Sequence, residues 1–138
     1  MGNKLLALYQ YAEKKNIDID CIDTKKAECF SIMDEDGECA IVINPFMLKD
    51  SIDEITKLAH EMGHCETGAF YYGYSSLQLR EQCEYRANLW AIKKLIPKDE
   101  LKKAFEQGYV ELYQLAEYFE VSEELMNFAV DYYKRNNY

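Results

Sequence analysis

The spacing of apolar residues along the chain predicts a helix, a small sheet and then helices only. Leucine, tyrosine and alanine recur at helical spacing over residues 3–15, and residues 17–21 alternate between apolar and acidic side chains as a short strand does. The sequence Ser51-Ile-Asp-Glu54 is a capping box, which predicts that a helix begins there. A long helix is predicted at residues 77–95. Shorter predicted helices follow at residues 98–107, 110–119 and 123–135.

A β-hairpin is predicted for residues 27–33 and 38–43, because an Asp-Gly dipeptide typical of tight turns lies between them. A two-residue turn pairs Glu35 with Glu38 and fixes which side chains share a face. One face is then expected to carry Phe30, Ile32, Cys39, Ile41 and Ile43. The other face is expected to carry Ser31, Met33, Ala40 and Val42. Strands followed by helices alone give an α+β fold, with a small antiparallel sheet packed with helices.

Length and charge restrict the classes of protein to which the chain can belong. Its 138 residues are enough for one domain with a hydrophobic core, and 49% hydrophobic with 30% charged residues is a globular balance. The formal net charge is −9, and an acidic surface repels phosphate backbones and anionic lipids. We therefore expect no direct binding to nucleic acid and no membrane association. A helix-turn-helix-like spacing near the C-terminus carries acidic side chains, so we expect a packing or partner-binding cap there.

The N-terminal residues and the lack of a long apolar segment indicate a cytoplasmic protein, and this expectation decides how the cysteines are interpreted. The N-terminal segment does not have the pattern of a signal peptide, and no segment is long and apolar enough to span a bilayer. The five cysteines are odd in number and include no C-x-x-C pair. In a cytoplasmic protein they are expected to be reduced, mostly buried thiols with structural roles.

The chemistry of the chain is concentrated in His60-Glu61-Met62-Gly63-His64, which matches H-E-x-x-H and lies in the helix begun by the capping box. Residues four apart on a helix share a face, so two imidazole rings at this spacing can bind one zinc ion. The glutamate between them can serve as a general base without ligating the metal. The chain has two histidines, and this motif uses both. The sequence therefore predicts a zinc site with Glu61 as the catalytic base.

A catalytic zinc site needs a third protein ligand. Since the chain has no further histidine, that ligand must be a carboxylate or a cysteine. The helix at residues 77–95 offers Glu81, Cys83 and Glu84, and composition alone does not choose between the two glutamates. A closed structural zinc site, with Cys65 or Cys83 as a fourth ligand, is a further possibility.

Two stretches of the chain resemble the ImmA/IrrE-type zinc metallopeptidases. They are HEMGH at residues 60–64 and CEYRANLWAIKKLIP at residues 83–97, which match a family pattern of H-E-x-G-H, then E-x-x-A-N, then a leucine-rich helix end before proline. Trp90 stands where the family usually has phenylalanine. The resemblance implies Glu84 as the third zinc ligand, in a gluzincin-like site, and Asn88 as a residue that orients a ligand.

The resemblance also implies a fold and a function. The fold is a zincin-like minimal metalloprotease fold, with residues 1–138 as a single domain that is helical from about residue 98. The function is that of an endopeptidase with one zinc ion, which cleaves a helix-turn-helix repressor and so derepresses a phage or mobile element. The acidic surface suits a basic DNA-binding protein as substrate. The alternative is a non-catalytic zinc-fold module that sequesters a regulator, including a toxin–antitoxin role.

Two further expectations concern the substrate. Tyr71, Tyr72 and Tyr74 lie in the loop between the two site helices and are candidates to stabilise the developing oxyanion. Residues 38–43 are the candidate edge strand along which an extended peptide would lie.

Overall fold

Residues 3–136, which the computed structural model describes, begin with a helix, continue through three strands and end in five helices. The elements are α1 (Asn3–Lys14), β1 (Asp18–Cys21), β2 (Cys29–Met33), β3 (Cys39–Ile43), α2 (Ser51–Thr67), α3 (Leu77–Leu95), α4 (Lys98–Glu106), α5 (Leu112–Phe119) and α6 (Glu123–Arg135). The predicted α+β class is confirmed. Residues 1, 2, 137 and 138 of the predicted domain lie outside the described range. Within residues 3–136, no helix is both long and apolar enough to cross a membrane.

The three strands form a mixed sheet in the order β1-β3-β2. Strand β2 is antiparallel to β3, whereas β1 runs parallel to β3. The prediction of an antiparallel sheet is therefore wrong for β1. The local pattern of apolar and polar residues shows where strands lie but not which strands are neighbours. Here β1 and β2 are the two edge strands, and β3, which follows them in the chain, lies between them. The candidate edge strand at residues 38–43 is consequently the central strand.

The hairpin register also differs from the prediction by one residue. The Asp34 N–H donates to the Glu38 carbonyl (2.9 Å), so the turn has three residues rather than two. The Asp34 carboxylate accepts from the N–H groups of Asp36 and Glu38, and Gly37 has the positive φ of +85° that such a turn requires. A shift by one residue exchanges the faces of one strand relative to the other. Strand β2 therefore turns Ser31 toward the same side as the buried Ile41.

Helix α2 begins at Ser51, as expected, but with a different cap. The N-cap is Asp50, whose carboxylate accepts from the Asp53 N–H (2.8 Å). The predicted capping box is thus wrong by one residue, because aspartate caps a helix as well as serine does. The helix ends at Thr67, and the left-handed backbone of the next residue, Gly68 (φ +68°), lets the Gly68 N–H donate to the His64 carbonyl.

One hydrophobic cluster includes residues from every helix and from the central strand. Leu101, Phe119 and Met126 of the last three helices are buried in it together with Ile41 of β3. Helix α6 contacts both α3 and α5. The acidic C-terminal helices therefore pack onto the core that supports the sheet, which accounts for their apolar positions.

The cysteines are not all reduced, which contradicts the expectation from sequence. Cys39, at the start of β3, forms a disulfide with Cys65, near the end of α2, and their Cα atoms lie 5.7 Å apart. Cys21 is exposed, Cys29 is half-buried and Cys83 is buried. The two cysteines are 26 residues apart and come together only because the helix packs on the sheet. The spacing of cysteines in the sequence therefore does not predict this disulfide.

Candidate metal centre

The rotation of helix α2 about its axis is fixed by an apolar stripe that faces the core, and this places both histidines next to that stripe. The fully buried side chains of that stripe are Ile55, Leu58, Ala59 and Met62. His60 and His64 lie one turn apart beside it, with ring centroids 4.9 Å apart and planes nearly perpendicular. His64 is 6% exposed, whereas His60 is half-buried, so the pair opens to solvent on the His60 side.

Helix α3 brings a carboxylate to this pair by approaching α2 closely. A Cβ atom on Gly63 would lie 2.4 Å from the carbonyl oxygen of Ala87, so the approach requires glycine at this position. Glu84, one turn before Ala87, then reaches both imidazole rings. Its Oε2 lies 2.6 Å from His60 Nε2, and its Oε1 lies 3.3 Å from His64 Nε2.

Among residues 3–136, the three side chains just described form a group that could hold a metal ion, with ligand atoms within 4.8 Å of one another. The other candidates from the sequence are not brought to this group. Glu81 is exposed and lines a separate depression on α3. The Sγ of Cys83 lies 3.6 Å from the Phe70 carbonyl, and Cys65 is in the disulfide.

The hydrogen bonds of the two rings orient their other nitrogens toward the carboxylate. His64 Nδ1 lies 2.6 Å from the Ala69 carbonyl, and His60 Nδ1 lies 2.7 Å from Asn88 Oδ1. A carbonyl only accepts, so Nδ1 of His64 carries the hydrogen, and in the neutral ring its Nε2 presents a lone pair. With the Asn88 amide oxygen facing His60, the same holds for that ring.

This donor set fits a zinc ion. Two nitrogen lone pairs that face a carboxylate are repelled by its negatively charged oxygens unless a cation or protons lie between them. Two imidazoles and one carboxylate are the protein ligands of one class of catalytic zinc sites. Asn88 contacts the back of a ring in the way that orienting partners of metal-bound histidines do.

Glu61 lies next to this group but turns toward the sheet. The Ser31 hydroxyl of β2 donates to Glu61 Oε1 (2.6 Å). Burial raises the pKa of the Glu61 carboxyl, and the Ser31 hydrogen bond and the nearby His60 and His64 offset only part of that rise. A carboxylate with a raised pKa is suited to accept a proton and return it.

The tyrosines predicted as oxyanion donors separate into two groups. The Tyr71 hydroxyl donates to Glu84 Oε1 (2.9 Å), and this hydrogen bond raises the pKa of Tyr71. Burial would raise the pKa of Glu84, but His60 and the Tyr71 hydroxyl outweigh it, so its pKa lies below the ordinary value. Tyr72 and Tyr74 stack on each other with centroids 5.5 Å apart and are 67% and 87% exposed. Of the three, Tyr71 contacts the group.

Two histidines one helical turn apart, a carboxylate from the next helix and a second carboxylate beside them are the arrangement of H-E-x-x-H metallopeptidases. The Peptidase_M78 family model, described as the IrrE N-terminal-like domain, matches residues 13–131, and the chain belongs to this family. The resemblance seen in the sequence is thereby confirmed. Membership supports a metallopeptidase-type function. No curated protein and no solved structure matches the chain.

Sequence reasoning missed one residue of the site, Ser31. The predicted two-residue turn gave Ser31 the wrong partners on the neighbouring strand, so nothing in that register placed Ser31 near the motif helix. The alternation of β2 with the correct three-residue turn places Ser31 on the side of Ile41, facing α2. A polar residue on the inner side of a strand next to the motif helix is the signal that could have identified it.

Proposed function

We propose that the chain is a zinc-dependent endopeptidase. The observation that carries the proposal is the convergence of His60 Nε2, His64 Nε2 and the Glu84 carboxylate next to a second carboxylate, Glu61, which stays outside the group. His60, His64 and Glu84 would hold one zinc ion, which when bound would supply Lewis-acid activation of the attacking water and of the peptide carbonyl.

The chain's own residues move the proton. Glu61 accepts the proton that the attacking water loses and later delivers it to the nitrogen of the leaving amine. The hydrogen bond from Ser31 holds Oε1 of Glu61, which leaves Oε2 as the atom for this transfer. Asn88 and the Ala69 carbonyl fix both imidazole rings through Nδ1, so the rings need no reorientation when the substrate arrives.

The substrate would lie along β2 rather than along residues 38–43. Within residues 3–136, β2 pairs only with β3, so its other edge is open to an added strand. Ser31, in the middle of β2, contacts Glu61. A peptide paired with this edge therefore passes beside the catalytic carboxylate. A small cavity of about 250 Å³ there is lined by Phe30, Ser31, Glu61, His64, Phe70 and Tyr71, among others.

Tyr71 is the residue we propose for stabilising the developing oxyanion. Its hydroxyl donates a hydrogen bond to Glu84 Oε1, and Tyr71 lines the same small cavity as Glu61. A donor in that position can contact negative charge as it develops on the carbonyl oxygen.

For the substrate we propose a helix-turn-helix repressor whose cleavage derepresses a phage or mobile element. The net charge of −9 supports a basic protein partner, because opposite charges accelerate encounter. The family resemblance supports the same class of substrate.

The experiment that tests the function compares the wild-type chain with Glu61→Gln. Both proteins are loaded with zinc, their metal content is measured by mass spectrometry, and each is incubated with the helix-turn-helix repressor encoded nearest to its gene. We expect both to bind one zinc ion, but only the wild type to produce cleavage fragments, and a chelator to abolish them. Unchanged cleavage by Glu61→Gln would refute the proposed mechanism. Stoichiometric, chelator-insensitive binding without fragments would favour the non-catalytic module instead.

A further inference from the structure

A cavity of about 650 Å³ begins at the candidate metal centre and extends to helix α6. His60, Glu61 and Glu84 line one end of it. The α6 residues and the α6 N-cap that line the opposite side are Ser122, Glu124, Leu125, Asn127, Phe128 and Asp131. The cavity is thus continuous with the site where a peptide bond would be cleaved, and it shares Glu61 and Glu84 with the small cavity that contains Tyr71.

Helix α6 presents an apolar surface flanked by two carboxylates to this cavity. Glu124, Phe128 and Asp131 follow one another at spacings of four and three residues, which places them on one helix face. The ring of Phe128 contacts that of Tyr85 on α3 in an edge-to-face manner, with centroids 5.5 Å apart. Leu125 is 5% exposed and also lines the cavity.

Four other carboxylates line the cavity, and all of them have partners. Glu28 and Asp53 both form ion pairs with Lys57. Glu61 accepts from the Ser31 hydroxyl, and Glu84 contacts both histidines. Lys57, the basic residue in the cavity lining, is therefore already neutralised by two acidic neighbours.

The two carboxylates of α6 differ from these four. Within residues 3–136, neither the Glu124 nor the Asp131 side chain has a hydrogen-bond or ion-pair partner, and both residues are exposed. The cavity therefore has an excess of negative charge at its α6 side, next to an apolar surface formed by Phe128 and Leu125.

The N-terminus of α6 does not make this an anion site. The Ser122 hydroxyl accepts from the Leu125 N–H, and the Ser122 N–H donates to Thr56 Oγ1. The first turn also carries Glu123 and Glu124, which offset the positive end of the helix dipole. The charge of the cavity thus selects for cations.

We propose that this cavity binds an arginine or lysine side chain of the substrate, at one position flanking the scissile bond. The aliphatic part of such a side chain packs against Phe128 and Leu125, and its charged end lies between Glu124 and Asp131. Because the cavity belongs to the same site, this inference rests on the proposed endopeptidase function and adds its substrate preference.

A binding experiment tests the cavity without requiring cleavage. The probes are a fluorescein-labelled decapeptide of alternating alanine and arginine and its counterpart with citrulline, which has the shape of arginine without the charge. The protein carries Glu61→Gln so that the probes stay intact, and Kd is measured by fluorescence anisotropy. We expect the arginine peptide to bind at least about fivefold more tightly, the scale of two partly exposed charge pairs.

Matched double variants identify which carboxylates cause this preference. Glu124→Gln with Asp131→Asn should reduce it to less than about twofold, since the neutral side chains no longer attract the guanidinium. Glu117→Gln with Glu123→Gln removes the same amount of charge from exposed positions outside the cavity and should leave the preference unchanged. An equal loss in both double variants, or no loss in the cavity variant, would overturn the proposal.

A cleavage experiment separates this inference from the proposed function. A proteome-derived peptide library, prepared with a glutamate-specific protease, is incubated with the zinc-loaded wild type, and the new termini are sequenced by mass spectrometry. We expect arginine and lysine to be enriched at one position beside the cut, and the cavity variant to lose that enrichment. Cleavage without the enrichment would overturn the cavity proposal alone. If the wild type cuts no peptide, the endopeptidase proposal fails, and the anisotropy measurement still decides whether the cavity binds a cation.

Discussion

Replacing Gly63 with alanine should damage the metal centre without touching any of its side chains. The new Cβ would lie 2.4 Å from the Ala87 carbonyl oxygen, and 2.8 and 2.9 Å from the Ala87 Cα and carbonyl carbon. These are backbone atoms of α3, so the contact cannot be relieved by a side-chain rotation. To reach an ordinary van der Waals distance, α3 must move away from α2 by about 1 Å. Glu84 lies one turn from Ala87 and would move with it.

The magnitude follows from two opposing effects on stability and one on the site. Overpacking costs about 1–3 kcal/mol, and alanine recovers about 1 kcal/mol as a better helix former than glycine. Because the contact is with backbone at 2.4 Å, the upper end of that cost applies. We therefore expect a net loss of about 2 kcal/mol, or a decrease of about 6 °C in Tm. Metal sites tolerate deviations of only about 0.2 Å in ligand distance, so displacement of Glu84 should weaken zinc binding at least about 100-fold.

The assay is competition with a chromophoric chelator for zinc, together with thermal denaturation of the metal-free protein. The matched control is Gly73→Ala, because a Cβ at Gly73 has no atom within 4 Å and its φ lies outside the left-handed region. That variant should keep both the zinc affinity and the Tm of the wild type. If Gly63→Ala binds zinc as the wild type does, the close approach of the two helices is not what holds Glu84 in place.

Three further substitutions test individual contacts. Ser31→Ala removes the hydrogen bond to Glu61 and should lower kcat by about tenfold with little change in KM, since hydrogen bonds to charged groups contribute about 1.5–3 kcal/mol. Steady-state kinetics on a cleaved peptide would measure this effect, and failure of Ser31→Thr to restore activity would count against the role of Ser31. Asn88→Ala should weaken zinc binding about tenfold by freeing the His60 ring, as read by chelator competition, and unaltered affinity would contradict it. Cys65→Ala should lower the free energy of unfolding by about 3 kcal/mol in non-reducing buffer; denaturant titration checks this, and equal stability of the wild type with and without reductant would refute it.

The sequence predicted the helices and the chemical motif well, because both depend on residues close together in the chain. The helix predicted at about residues 77–95 is α3, and the signals at its two ends, the cap by Ser76 and the proline at position 97, are both local. His60 and His64 share a helix face for the same reason. The choice of Glu84 over Glu81 was different, because it depends on how α3 is rotated against α2. The family resemblance supplied that choice, and composition could not.

The sheet was predicted less well because its arrangement depends on contacts between distant segments. The Asp-Gly dipeptide suits both a two-residue and a three-residue turn, and the Asp34 side chain stabilises the longer one. That difference of one residue concealed Ser31. The neighbours of β3 and the pairing of Cys39 with Cys65 likewise arise only when the helices pack against the sheet.

The candidate metal centre also contains its own spectroscopic reporter. The chain has two histidines, and both belong to this group, so every imidazole resonance in an NMR spectrum of the protein comes from the candidate metal centre. Each ring is hydrogen-bonded through Nδ1, to the Ala69 carbonyl for His64 and to Asn88 for His60. Zinc occupancy, ring tautomer and the arrival of a peptide can therefore be followed in the intact protein on two assigned side chains, with no background and no added label.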